Sequence, residues 1–181
     1  MVASADSNDA EVEPIHLLIR FSDKTGVIVD TIQAHREVIV KHQAVWFGKM
    51  GKSLASKHVT RMNAQCKQRI PTHLYLVQSG KGRCQVYRGT VLEISKDVPL
   101  RERKLVPQYY GKNGLTKFMR LWGKLSNIRP MPQGYLSSLF VAGSGSRVSE
   151  ILHSSMAGLF IVKERGGGPS IIYRSRFLPS G

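Results

Sequence analysis

The sequence predicts an α+β fold: a curved, mostly antiparallel sheet or pseudo-barrel flanked by helices. Three observations lead there. The hydrophobic pattern switches between the helical and the strand period along the chain. The helical stretches cluster before Pro71. The strand-like stretches after it follow one another without a helix between each pair, as a doubly wound fold would require.

Element by element, Ile15 to Phe21 reads as a buried strand. Asp30 is placed to cap a helix over Thr31 to Lys41, with Gln33 in the capping-box position. Ala44 to Phe47 is a short apolar strand or loop. Ala55, Val59, Met62, Cys66 and Ile70 fall on one face of a second helix, stopped by Pro71. His73 to Gln78 and Gln85 to Ile94 flank a Gly- and Lys-bearing turn, with a bulge expected at Gly89. Lys117 to Leu125 alternates, which sets Phe118, Arg120 and Trp122 on one face and Met119 and Leu121 on the other. Leu136 to Val141 is a further strand, Ser146 a cap for a short helix through Leu152, and Gly158 to Lys163 a closing strand. Residues 1–13 read as a disordered acidic leader, 14–164 as a single domain, and 165–181 as a Gly-rich linker with a basic tail.

Charge carries the functional reading. The 181 residues hold 27 Lys and Arg against 12 Asp and Glu, a net of +15. Asp6, Asp9, Glu11 and Glu13 all sit in the leader, so the rest of the chain is more basic still. Such a domain repels itself unless a polyanion neutralises it, and nucleic acid is the commonest polyanion. A solvated, solubility-giving surface is the plainer alternative. No apolar run approaches the ~20 residues of a membrane span, and the N-terminus lacks a signal-peptide pattern. Cys66 and Cys84 are too few for a disulfide scaffold, so a reducing, cytoplasmic setting is expected.

Catalytic patterns are missing. The six histidines form no metal-ligand spacing; His35 and His42 lie two turns apart on one helix and read as surface positions. The acidic residues outside the leader show no close pairing of the kind a nuclease or glycosidase motif suggests. Gly80-Lys81-Gly82 and Gly143-Ser144-Gly145 lack the spacing of a phosphate-binding loop and read as tight turns. No cofactor or metal is expected, and any catalysis is assigned to a fused or partner domain.

Aromatic residues interleaved with cations stand out instead. Trp46-Phe47-Gly48-Lys49 leads into Lys52; Tyr109-Tyr110-Gly111-Lys112 precedes Lys117; Arg120 and Trp122 alternate with Lys124. Aromatic faces stack on bases while Lys and Arg take phosphates, as an unstacked nucleotide needs. Trp122 fits core and pocket wall equally. Trp46 is expected to face away from Val45 and Phe47 by strand alternation, as an open pocket wall. Lys49, Lys52, Lys81, Arg83, Lys112, Arg120 and Arg147 are the expected phosphate contacts.

The run Val45-Trp46-Phe47-Gly48, the helix after it, the strand Leu74 to Ser79 ending at a Lys-bearing turn, and the later Tyr109-Tyr110-Gly111 resemble the EVE domain of the PUA-like superfamily. The resemblance spans residues 15–163. It implies a pseudo-barrel that binds nucleic acid, often a modified base, as the reader module of a modification-dependent restriction or defence system. By position, Trp46 would line the base pocket, Ser79 would offer a hydroxyl, and Tyr109 or Tyr110 would close it. Phe47, Trp122 and Ser144 complete the candidate set. Phe47-Gly48 stands where the family has Asp or Asn, which leaves base-edge recognition unassigned. DNA is therefore the expected partner and RNA the alternative; a nuclease or RNA-modifying enzyme with dispersed carboxylates, or a protein-interaction module, are the rivals.

Overall fold

The computed structural model describes residues 13–23, 30–80 and 83–165. Seven strands form one sheet: β1 (His16–Phe21), β2 (Val45–Met50), β3 (His73–Gly80), β4 (Arg83–Ser95), β5 (Met119–Met131), β6 (Leu139–Val141) and β7 (Leu159–Glu164). Their order is β2-β5-β4-β3-β1-β7-β6. Only β1 and β3 pair in parallel, with Leu17 opposite Leu74; every other pairing is antiparallel. The α+β class and the mostly antiparallel sheet are as the sequence predicts. Among the described residues the pseudo-barrel is not closed: β2 and β6 are separate edges.

Alternation along β1 and β3 sends side chains to two cores. Leu17, Ile19, Leu74 and Leu76 pack beneath helices α1 (Thr31–His42) and α2 (Ser56–Lys67), together with Val45, Phe47, Met62, Leu121 and Leu125. Leu18, Tyr75, Val77 and Val162 point the other way. They are covered by the 3-10 turn Gln133–Ser138 and the short helix α4 (Val148–Ile151), through Leu136, Val148 and Leu152. A third cluster joins Trp46, Met119 and Trp122 to Leu105, from the 3-10 stretch Leu100–Leu105, and to Tyr110, from helix α3 (Gln108–Lys112).

The helix ends follow their caps. Asp30 is extended at φ −156°, and its Oδ1 accepts from the Gln33 N–H at 2.9 Å. The Gln33 side chain bonds Glu37 at 3.3 Å instead of closing the capping box. At the far end Gln43 takes φ 62° and its N–H bonds the Ile39 carbonyl at 2.7 Å. Helix α2 stops at Lys67, before Pro71 is reached, and Arg69 at φ 59° turns the chain. Its buried Gln65 accepts from the Ile15 N–H at 3.0 Å and donates to the Ile15 carbonyl at 2.9 Å, fastening α2 to β1.

Four local expectations change. Strand β5 runs on to Met131, and a register shift where Lys49 and Met50 face Leu121 and Met119 bulges Arg120 outward. The extra residue reverses the alternation, so Met119 joins Trp122 instead of Leu121. Tyr109 and Tyr110 lie in α3, not in a loop. Leu136 belongs to a 3-10 turn, with only Leu139–Val141 as strand. Helix α4 is capped by Arg147, with no side-chain cap bond, instead of Ser146. The bulge expected at Gly89 is present, since the β4–β5 register shifts between Gly89 and Val91.

A candidate nucleic-acid interface

Strand β2 is an edge strand, and beside its free edge lies a cleft of about 220 Å³. The end of β1 contributes Arg20, Phe21 and Ser22, and the first turn of α1 contributes Thr31. Phe47, Gly48, Lys49 and Met50 come from β2; Tyr109 and Tyr110 from α3; Leu115 and Met119 close the far side. Four of the residues singled out in the sequence (Phe47, Lys49, Tyr109 and Tyr110) meet here.

A hydrogen-bonded relay fixes the floor. His35 is fully buried and stacks on Phe47 at 4.7 Å between centroids. Its Nδ1 lies 2.7 Å from the Thr31 carbonyl, which can only accept, so that nitrogen carries the proton. Nε2 then accepts from the Tyr110 hydroxyl at 3.3 Å, and the same hydroxyl oxygen accepts from the Gly48 N–H at 2.9 Å. Burial lowers the His35 pKa to about 4, against the opposing pull of the Thr31 carbonyl, and the ring is neutral near pH 7. Burial likewise pushes Tyr110 up to about 12. The side chain of Tyr110 thereby takes the place of a neighbouring strand at the β2 edge.

Tyr109 stacks on Tyr110 at 4.3 Å and 24°, and Phe21 meets Phe47 edge-on at 5.8 Å. Lys49 is half-buried, its Nζ bonded to the Met50 carbonyl at 2.9 Å; burial lowers its pKa. No carboxylate pairs with it among the described residues. At the entrance, Asp23 Oδ1 accepts from the Thr31 N–H at 3.2 Å and from the Thr31 hydroxyl, and Oδ2 accepts from Gln78 Nε2 at 2.8 Å.

Other expected site residues lie elsewhere. Trp46 does face away from Val45 and Phe47, but it is no open wall. It is 2% exposed, donates through Nε1 to Glu102 Oε2 at 2.8 Å, and lies under Lys124, whose Nζ is 2.7 Å from Glu102 Oε1. The hydrogen bond from Lys124 holds the Glu102 carboxyl below its usual range. Trp122 is wholly buried behind the cleft, 5.3 Å from Tyr110. The Ser79 hydroxyl bonds the Phe21 carbonyl at 3.3 Å, and Ser144 accepts from the Ser146 N–H in an exposed turn; neither lines the cleft. Lys52, Lys112 and Arg120 are exposed, the last with its carbonyl bonded by the Ser53 hydroxyl at 2.7 Å. Arg147 is exposed on the α4 side, away from the cleft residues. Lys81 and the Arg83 side chain, like residues 1–12 and 166–181, fall outside the described residues.

Sequence reasoning missed Thr31 and Phe21 in the cleft wall and His35 in the relay beneath it. His35 was expected on the helix surface, yet it shares a face with Thr31, Ile32 and Ile39, and that shared face was the signal available. Among the described residues no group of three or more His, Cys, Asp and Glu is placed to hold a metal ion, and no helix is long and apolar enough to cross a membrane.

The site is thus an aromatic cleft that holds a half-buried lysine with no carboxylate partner among the described residues, on a chain of net +15. The Pua-like family model matches residues 17–154, and the chain belongs to that family. At the level of the family, this points to a nucleic-acid-binding reader domain. Neither curated proteins nor solved structures gave a match to the chain.

Proposed function

We propose that the domain reads nucleic acid by receiving one unstacked, modified base in the cleft beside β2, with DNA as the partner. The observation that carries this is the meeting of Phe47, Tyr109 and Tyr110 with the half-buried Lys49 in one opening of about 220 Å³. Extruding a base costs a few kcal/mol, and stacking at ~1–3 kcal/mol per base offsets it. Lys49 then meets the phosphate of the extruded nucleotide, while Lys52, Lys112 and Arg120 meet its neighbours without reading sequence. An EVE-like role as the recognition module of a modification-dependent restriction or defence system follows from this reading; RNA metabolism is the alternative.

The relay supports the reading by holding Tyr110 and Gly48 in place before any ligand arrives, which lowers the ordering cost of binding. Titration of the protein with DNA duplexes carrying no modification, N6-methyladenine, 5-methylcytosine or hydroxymethylcytosine, beside matched RNA, tests it. Tyr109→Ala weakens the preferred ligand about tenfold. Lys49→Met weakens all of them alike. Unchanged affinity in both variants would move the base elsewhere.

A further inference from the structure

On the other flank of α1 lies a second groove, of about 570 Å³, walled by Arg36, residues 84–87 of β4, and Pro130 and Met131 of β5. Arg36 is fixed there. Its Nε and Nη2 both donate to the Ile128 carbonyl at 3.2 Å, and its guanidinium carbon stands 5.6 Å from the centre of the Tyr87 ring. Tyr87 sits opposite Pro130 in the strand register, and its hydroxyl donates to the Gln85 side chain at 2.5 Å. Arg129, next to Pro130, is exposed. No ion pair engages Arg36 among the described residues.

Thr31 lines the cleft and Arg36 lines the groove, so the two openings are five residues apart on one helix, about 7.5 Å along its axis. A half-exposed tyrosine ring with a guanidinium at cation–π distance, held there by a carbonyl, offers a base a stacking surface and its phosphate a donor. We propose that this groove is a second nucleotide subsite, which takes the base next to the one in the cleft. The inference rests on the base-pocket reading and narrows its ligand. Two consecutive bases out of the stack require an unpaired strand, so the substrate class is single-stranded nucleic acid, DNA or RNA.

Fluorescence anisotropy with the full chain tests this, using mixed-sequence hexanucleotides as single-stranded DNA, single-stranded RNA and annealed duplex, each with and without N6-methyladenine. Either single strand is expected to bind more tightly than the duplex. Tyr87→Ala and Arg36→Gln each weaken single-strand binding about tenfold, and Tyr87→Phe, which keeps the ring, binds like the parent protein. Retained binding by Tyr87→Phe, with an unchanged melt, separates loss of the platform from loss of the fold. Full affinity in Tyr87→Ala and Arg36→Gln, or tighter binding of the duplex, overturns the second subsite. If Tyr109→Ala still weakens binding about tenfold in that case, the base pocket stands alone. If Tyr109→Ala is silent, both proposals fall.

Discussion

Trp46 and Phe47 are adjacent in sequence, both buried, and on opposite sides of β2. Phe47 packs into the core under α1 and backs the cleft; Trp46 lies under Lys124 and is bonded to Glu102. Trp46→Ala therefore removes a core side chain, and denaturant melts should record a loss of ~3–5 kcal/mol, however binding responds. Gly48 is as constrained: a Cβ there would come within 2.9 Å of Met119 Cγ and 3.0 Å of Trp122 Cζ3. Gly48→Ala should cost ~1–3 kcal/mol and shift Met119 in the cleft wall, read in a melt and a parallel titration. His35 and His16 set the response to acid, since burial lowers both to about 4. The unfolded chain binds protons there from about pH 6.5 downward, whereas the folded chain resists. The stability they contribute is complete above pH 6.5 and is lost as pH falls through 4, by up to ~3 kcal/mol for His35 alone. Urea melts at pH 7 and 4.5 check the sign. His35→Gln should flatten the dependence.

At the scale of elements, what could be read was periodic and what could not was set by partners. Strands β1, β3, β4 and β7 and helix α1 announce themselves by alternation, by Asp30, or by the glycines around the β3–β4 turn. The start of β5 does not, because the bulge at Arg120 exists only in relation to β2. Nor does α3: five residues containing two tyrosines and a glycine have no helical signature, and they hold their form because Tyr110 is bonded to the β2 edge. The same contact explains the site. Sequence marked Phe47, Lys49, Tyr109 and Tyr110 as chemically apt, but it gave no reason to bring His35 or Thr31 to them, since that depends on how α1 lies across the sheet. Tyr110→Phe keeps the ring while deleting the only hydroxyl in the relay, leaving the buried Gly48 N–H and His35 Nε2 without their partner. A destabilisation of ~1–3 kcal/mol is expected, with amide exchange at Gly48 accelerated.

Over the whole molecule the basic excess should govern affinity more than any one contact. If about six phosphates are neutralised, log K falls with log[salt] at a slope near −5, and a flat dependence in a salt titration would remove the electrostatic basis of binding. Charge and family were legible without coordinates. The position of the cleft was not, because it follows from the crossing that carries β2 to the far edge of the sheet, four strands from β1. That crossing has a consequence for biosynthesis. Strand β2 has one strand partner, β5, and Val45 meets Leu125. On the ribosome, the segment that carries Phe47 and Lys49 must wait for some eighty later residues before it can pair. β1 meets β3, and β3 meets β4, after shorter stretches of chain. The parallel and hairpin pairings around β1, β3 and β4 should therefore form first, the β2–β5 pairing beside the cleft next, and the β1–β7 pairing last, the order expected when distant contacts bear the larger loop-closure cost. Nascent chains stalled before β5 leaves the exit tunnel would present β2 as an unpaired apolar strand, a natural target for chaperones. Once β5 has emerged, that exposure should vanish in one step, read as a gain of protease resistance in the stalled chains.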